Sequence, residues 1–206
     1  MLALDTAVGA SACLLLEDGR VHALSVDSPR AHSRELLPIL QRLLHDAQIT
    51  WQDLQGFAVG TGPGSFTGLR VACATIAGIN ASLKKPVYSL SSLAITARQA
   101  GDVDSSFWAI EDARSGLVYA AKFSEGQCVV PPQCLTWEAF LQLPPAQYIA
   151  LSDITVDLPH WKALPLQQTR EQALVVEVRK LQPDSNFKMW VEPLYLQPSQ
   201  AEKNLK

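Results

Sequence analysis

The sequence predicts an α/β protein with mixed β-sheets. Three observations support this class: the chain opens with short apolar segments that are typical of strands, helical and strand patterns then alternate, and the composition is that of a globular protein. The chain has 206 residues, of which 48% are hydrophobic and 18% are charged, and this length allows one large domain or two small lobes. No internal repeat of solenoid period is visible.

The first hundred residues combine a predicted β-meander with helices and further strands. Residues 1–26 are typical of two or three strands, and the Asp18–Gly19 pair predicts a hairpin turn. Leucines recur at helical spacing over residues 32–48, and we expect Pro38 in the first turn of that helix. The other predicted elements are a short helix capped by Thr50, strands at 57–60 and 85–92, a helix after a glycine-rich loop, and a serine-capped helix at 92–99.

The composition changes near residues 100–106, and we expect a lobe boundary there. This divides the chain into an N-terminal lobe of residues 1–100 and a smaller C-terminal lobe of residues 101–206. Whether the final helix or the tail returns to the first lobe stays open. The second half is predicted to contain a hairpin around Asp112–Gly116, a helix capped by Thr136, a strand at 147–152, an irregular segment at 158–168 and a helix at 170–182.

Charge and cysteine content narrow the functional classes. The formal net charge is -3 and no basic run is present, so the isolated chain lacks the clustered lysine and arginine of a nucleic-acid binder. The four cysteines form no C-x-x-C pair, which favours free buried thiols in a reducing compartment. Neither a signal-type N-terminus nor an apolar stretch of about 18 residues is visible, so we expect a cytoplasmic protein without a membrane span.

The stretch VGTGPGSFTGLR, residues 59–70, places four glycines before a helix. A phosphate-binding P-loop needs a lysine after its last glycine, and none is near. The dinucleotide fingerprint G-x-G-x-x-G also fails, because Thr67 stands where the third glycine is needed. The N–H groups of Ser65, Phe66 and Thr67 leave anion binding at the helix N-terminus open.

The helix that follows is apolar nearly all round, which indicates burial on several sides. Two interpretations stay open. One side packs closely against a partner helix, as small residues at such spacing allow, or the helix lies in the centre of this chain's own core. The small residues are Gly68, Ala72, Ala74, Ala77, Gly78 and Ala81.

Five segments together carry a family resemblance. They are LALDTAVGASACLLL, HSRELLPIL, GTGPGSFTGLRVACATIAGI, EDARSGLVYAA and EPLYL, in this order. The chain resembles the TsaB family (also called YeaZ), a subunit of the bacterial machinery that makes threonylcarbamoyladenosine in tRNA. The resemblance covers most of the chain, is weakest at about residues 124–185, and rests mainly on the block GPGSFTGLR.

The resemblance implies a two-lobed fold of the actin, sugar-kinase and Hsp70 (ASKHA) type, each lobe a mixed β-sheet with helices. It implies a degenerate, non-catalytic relative of TsaD, the subunit that transfers threonylcarbamoyl to tRNA adenosine. The implied partners are TsaD and the ATPase TsaE, with a homodimer in isolation and tRNA contacted through the complex. No cofactor is implied for the isolated chain, while ATP or ADP at the junction of the complex stays open.

The resemblance also implies an interface formed by the helices of HSRELLPIL and GSFTGLRVACATIAGI. The positions expected to contact TsaD or a second copy are His32, Leu36, Leu40, Leu43, Thr67, Leu69, Arg70, Ala72, Cys73 and Ile76.

A vestigial nucleotide site is implied at the end of the first strand. Asp5 matches the acidic residue that lies near the phosphates in the superfamily, and Thr6 follows it. A simpler interpretation of Asp5 is a strand-end carboxylate that accepts hydrogen bonds from the N–H groups of the turn.

Other polar residues give no support for catalysis or a resident metal. The catalytic homologue uses an H-x-x-x-H pair, but here Leu36 stands at the second position after His32, and one imidazole does not make a metal site. Asp112 is expected to pair with Arg114 or to cap the hairpin turn, since a general acid–base role needs a second perturbed carboxylate nearby. The sequence therefore predicts no catalytic and no metal-binding residue.

Competing functions follow from this pattern. The first is an accessory subunit required for threonylcarbamoyl transfer to the tRNA adenosine next to the anticodon, acting through dimerisation with TsaD. The alternative is an ATP-dependent phosphotransferase of the same superfamily, which would need Asp5 for Mg-ATP. A homodimeric scaffold with another client is a third. Further phosphate loops are not recognisable, and this favours the accessory subunit.

Overall fold

The structure is a computed structural model of the 206-residue chain. It describes residues 1–26, 34–150, 154, 156–181 and 188–197. Two five-stranded sheets with helices on their faces form the molecule. This arrangement confirms the predicted α/β class with two lobes, each a mixed β-sheet with helices.

The first sheet is mixed. Its strands are β1 Leu2–Asp5, β2 Ala10–Leu15, β3 Val21–Val26, β4 Phe57–Gly60 and β5 Val87–Leu90. Their order is β3-β2-β1-β4-β5, in which β1 to β3 form an antiparallel meander and β4 and β5 run parallel to β1. Every residue of β1 and β4 is buried, because helices cover both faces of the sheet.

The helices are α1 Leu36–Ala47, α2 Phe66–Leu83, α3 Ser92–Arg98, α4 Trp137–Leu141 and α5 Arg170–Arg179, and a 3₁₀ turn spans Trp51–Asp53. On one face of the first sheet, Leu2 and Leu4 share a core with α1 and α2. On the other face, Ala3 shares a core with α3 and α5. Alternate residues of β1 therefore serve opposite layers, as the period of a strand requires.

The second sheet repeats the topology of the first. Its strands are β6 Phe107–Arg114, β7 Leu117–Ser124, β8 Gln127–Thr136, β9 Gln147–Ala150 and β10 Lys162–Ala163. Their order is β10-β9-β6-β7-β8, again an antiparallel meander followed by two strands parallel to its first strand. The two sheets share strand order and strand direction but not a repeated sequence, so the repetition is not visible in the sequence.

A layer of two helices lies between the sheets. In α3, Leu93 and Ala97 pack with Phe107 of the second sheet, while Ile95 packs with the core on the first sheet. Helix α5 contacts α3 and strands β1, β2 and β3, so the chain returns to the first sheet after the second sheet is complete. The outer face of the second sheet is covered by α4, whose Phe140 is buried against it.

Two strands lie where the sequence predicted none. Strand β8 contains Pro131 and Pro132, which break the usual strand pattern. Strand β8 tolerates these prolines because it lies at the edge of the sheet, where a residue without an N–H need not cost a hydrogen bond between strands. The short β10 falls inside the segment that was expected to be irregular, and it pairs with β9.

The cysteines are free thiols, but not all are buried. Burial raises the pKa of Cys13 to about 12 and that of Cys73 to about 11, so both thiols stay protonated near neutral pH. Cys128 is exposed and Cys134 is partly exposed, because both lie on the edge strand β8. The expectation of burial is wrong for these two.

In the part of the chain that the structure describes, α2 is the one helix long and apolar enough to cross a membrane, with 18 residues. No stretch of this kind was predicted from the sequence. Leu69, Ala72 and Ile76 of this helix are nevertheless buried within the first lobe. A core helix passes the same test of length and composition, so a single helix is weak evidence for a membrane span.

The first prediction concerns the packing of α1. Leu40→Ala removes a side chain that is 0% exposed, and we expect the free energy of unfolding to fall by about 2–5 kcal/mol. Urea denaturation measures this as a lower midpoint with an unchanged slope. Leu37→Ala on the same helix is the control: Leu37 is 46% exposed, and its loss should stay near 0.5 kcal/mol. Equal losses for the two variants would contradict the observed face of α1.

Candidate functional site

The Asp5 carboxylate lies at the end of β1 and is fully buried. Its Oδ1 accepts a hydrogen bond from Ser92 Oγ at 2.6 Å. Its Oδ2 accepts one from Arg170 Nε at 2.8 Å and lies 2.7 Å from Arg170 Nη2. The N–H of Ala7 is 3.4 Å from the same oxygen. Donors therefore already occupy both oxygens of this carboxylate.

The guanidinium of Arg170 extends these contacts to the second sheet. Arg170 opens α5 and is 7% exposed. Its Nη1 donates to Thr96 Oγ1 at 3.0 Å and lies 3.5 Å from Gln99 Oε1. Thr96 Oγ1 is in turn 3.1 Å from Glu111 Oε1 on β6. A chain of polar contacts thus joins β1 to β6 through α5 and α3.

We call these six residues the Asp5–Arg170 cluster: Asp5, Ser92, Thr96, Gln99, Glu111 and Arg170. Asp5 was predicted from the sequence, but the partners that define its environment were not. One signal could have found Arg170. An arginine at the first position of a helix opposes the helix macrodipole, which suggests that a nearby carboxylate holds it there.

Turn N–H groups, which the simpler interpretation gave as the partners of Asp5, supply little of its hydrogen bonding. A turn N–H does approach it, from Ala7, but at 3.4 Å this is the longest of its contacts. Side chains from α3 and α5 supply the shorter ones. Thr6 points elsewhere, since its Oγ1 donates to the carbonyl of Gly68 at 2.7 Å. The vestigial nucleotide site at Asp5 and Thr6 stays a prediction.

The glycine loop packs onto the end of β1. A Cβ at Gly60 would overlap the Asp5 carboxylate, and a Cβ at Gly68 would overlap the carbonyl oxygen of Thr6. Only glycine lets the two backbones approach this closely. Ser65 Oγ accepts a hydrogen bond from Gly68 N at 3.2 Å and caps α2. Packing against the end of β1 therefore accounts for glycine at positions 60 and 68.

The structure places most of the predicted interface residues inside the lobe. His32 lies outside the described residues, and Thr67 and Arg70 are exposed. The others are at most 8% exposed and pack within this chain, so a partner cannot reach them in this conformation; they are Leu36, Leu40, Leu43, Leu69, Ala72, Cys73 and Ile76. The resemblance implied these positions as an interface, whereas in this structure the chain's own sheet covers the side of each helix on which the buried ones lie.

A different face of α2 is accessible. We call it the α2 outer face: Thr67, Arg70, Ala74, Ala77, Gly78 and Ala81, which are all exposed. If α2 contacts a partner in this conformation, the contact has to be made through these exposed positions.

An aromatic cluster fixes Arg70 at one end of the α2 outer face. The Arg70 guanidinium lies 4.0 Å from the centroid of the Phe66 ring, and its Nε donates to Tyr195 Oη at 2.9 Å. The Phe66 and Tyr195 rings are 4.8 Å apart. The backbone of the tail is held by a hydrogen bond from Leu194 N to the carbonyl of Thr61 at 2.7 Å. The tail thus lies beside the glycine loop.

No other arrangement in the described part of the chain indicates a metal or acid–base site. Within these residues, no group of three or more His, Cys, Asp and Glu side chains could hold a metal ion. Asp112 accepts from the backbone N–H of Arg114 at 2.9 Å and lies 3.5 Å from its guanidinium. Both predicted roles of Asp112, the ion pair and the turn cap, therefore occur together.

Comparison with known proteins identifies the family. The family model described as "TsaD: tRNA N6-adenosine threonylcarbamoyltransferase" matches residues 26–175. The chain belongs to this family. Within it, the TsaB/YeaZ-like character predicted from the sequence is confirmed by the relatives that follow.

The curated relatives include proteins described as "tRNA threonylcarbamoyladenosine biosynthesis protein TsaB". The one from Escherichia coli (strain K12) is 33% identical over 129 residues, which cover 62% of this chain and 56% of that protein. The one from Buchnera aphidicola subsp. Schizaphis graminum is 32% identical over 100 residues, 48% of each protein. The chain spans about half the length of these curated relatives.

A solved structure matches over nearly the whole chain. It is YeaZ from Pseudomonas aeruginosa, with a TM-score of 0.68 and 25% sequence identity. The superposition covers 95% of this chain and 98% of that one. The likeness therefore includes both sheets of the TsaD-family fold.

The second prediction concerns the coupling between Asp5 and Arg170. Asp5→Asn or Arg170→Met alone leaves a buried charge without its partner, and each should lower the free energy of unfolding by about 3–5 kcal/mol. The double variant should lose clearly less stability than the sum of the two single losses, because it removes both members of the ion pair and leaves neither of them as an unpaired charge. Urea denaturation of the four proteins measures this. Additive losses would contradict a direct interaction.

Proposed function

We propose that the chain is a non-catalytic accessory subunit for threonylcarbamoyl transfer to the tRNA adenosine next to the anticodon, acting by dimerising with a TsaD subunit. The observation that carries this proposal is the likeness to YeaZ over 95% of the chain, together with relatives named for threonylcarbamoyladenosine biosynthesis. The ATPase TsaE, tRNA contact through the complex and a cytoplasmic location are parts of the same proposal.

The bonding of Asp5 favours this function over a phosphotransferase. An enzyme of that class would need the carboxylate for Mg-ATP, whereas here it is buried and bonded to Arg170 and Ser92. A nucleotide at the junction with TsaD is still compatible with the proposal, because the second subunit could supply the groups that bind it.

The α2 outer face is the proposed contact with TsaD. Ala74, Ala77, Gly78 and Ala81 are small and exposed, so a partner helix can approach the backbone closely. Arg70 adds a cation held by Phe66 and Tyr195, and such arginine–aromatic groups are common in protein interfaces. A homodimer through the same face would compete with TsaD.

The third prediction tests this contact by co-purification with the TsaD homologue of the same organism. Ala77→Arg places a long cation on the α2 outer face and should weaken association at least about tenfold, while urea denaturation stays unchanged. Ala139→Arg, on the exposed side of α4, is the matched control and should bind as the wild type does.

The outcomes separate the two parts of the proposal. Failure of the wild-type chain to bind the TsaD homologue would remove the accessory-subunit function. Binding that Ala77→Arg leaves intact would keep the function but remove the α2 outer face as the contact. Ala72→Arg is unsuitable for this purpose, because Ala72 is 0% exposed and the arginine would unfold the lobe.

A further inference from the structure

The fold family implies a magnesium–nucleotide near the carboxylate at the end of the first strand. The residues present at Asp5 do not fit this group. Magnesium requires oxygen ligands at about 2.0–2.1 Å in octahedral geometry and usually keeps several waters. Asp5 is 0% exposed, and both its oxygens face N–H or O–H donors, which repel a cation.

The space around Asp5 is also filled. Gly60 abuts one side of the carboxylate so closely that even a Cβ there would overlap it. The Arg170 guanidinium lies against Oδ2, with nitrogens at 2.7 and 2.8 Å. A metal or a phosphate could reach the carboxylate only after Arg170 had left.

The guanidinium is bonded on every nitrogen. Nε and Nη2 contact the Asp5 carboxylate, and Nη1 contacts the side-chain oxygens of Thr96 and Gln99. Nη2 also lies 3.4 Å from the carbonyl oxygen of Ser92. All of these partners are neutral except the carboxylate, so the charge of Arg170 is balanced locally by Asp5. Such full pairing is what a buried arginine needs.

The cation also lies between the two lobes. Asp5 is on β1, which opens the meander of the first sheet, and Glu111 is on β6, which opens that of the second. Arg170 bonds Asp5 directly and reaches Glu111 through the hydroxyl of Thr96. One side chain therefore links acidic residues from corresponding strands of both sheets.

We propose that Arg170 is a built-in cation that permanently occupies the place where the fold family would put magnesium and phosphate, so that the Asp5 site joins the two lobes and takes no nucleotide. The inference does not depend on the proposed function, because it concerns this chain alone. It assigns a defined ligand chemistry to the site: a planar cation with several N–H donors.

The first test titrates the purified full chain with Mg-ATP and Mg-ADP by calorimetry. Wild type should give no saturable heat, which corresponds to a Kd above about 1 mM. Saturable binding by the wild type that an Asp5→Asn variant shown to be folded has lost would overturn the proposal. Binding that Asp5→Asn leaves intact would place the nucleotide elsewhere and would leave the assignment of Asp5 standing.

The second test is chemical rescue. Arg170→Ala opens a space of the size of the guanidinium group, and guanidinium chloride at low millimolar concentration, too dilute to denature, should refill it. We expect a rise in Tm of roughly 3 °C or more at ten times the Kd of the ion. Tetramethylammonium chloride, a cation without N–H donors, should give no rise. The double variant with Asp5→Asn should also show none. A rise equal for both salts, or no rise in a folded variant, would overturn the proposal.

A conservative series keeps the test valid if Arg170→Ala does not fold. Arg170→Lys retains the charge, while Arg170→Gln retains polarity and length without it. The urea midpoint should fall in the order Arg, Lys, Gln when Asp5 is intact. When Asp5→Asn is added, the order of Lys and Gln should reverse, because the lysine is then a buried charge without its partner. Equal midpoints for Lys and Gln with Asp5 intact would show that the site requires no cation.

Discussion

The ion pair between Asp5 and Arg170 is the contact on which the arrangement of the lobes depends. Both side chains are buried, and each compensates a charge that the interior would otherwise exclude. The pair holds the N-terminus of α5 against the end of β1, and α5 then covers the face of the first sheet that α1 and α2 leave open. The glycine loop packs around the same strand end.

Repetition of one strand order gives the molecule two similar sheets, and the helices between them make a shared layer. Further polar contacts supplement the Asp5–Arg170 cluster in that layer. Arg98 of α3 donates to Glu177 of α5 at 2.8 Å and to the carbonyl of Gly126, in the β7–β8 turn, at 2.6 Å. The tail adds another, since Gln197 donates to the carbonyl of Ala113 at 2.9 Å. The lobes are thus joined at several separate points.

Side chains of the protein itself fill the space at the end of β1. Asp5 is buried there and is bonded to Ser92 and Arg170. The exposed positions of α2 and the exposed tail residue Tyr195 lie on the outer side of the first lobe. A protein that works through association needs such a surface more than it needs an open cleft, and this agrees with the proposed accessory function.

The sequence by itself determined the local elements and the family. The helix at α1, the caps at Thr50 and Thr136 and the hairpin at Asp18–Gly19 follow from periodicity and capping within a few residues. The tertiary structure decided what those elements contact. Periodicity marks the apolar face of a helix but does not say whether the same chain or a partner covers it, and only the tertiary structure shows that Leu40 and Ala72 pack inside this chain. Arg170 lies 165 residues from Asp5, and no local pattern can pair two charges across that separation.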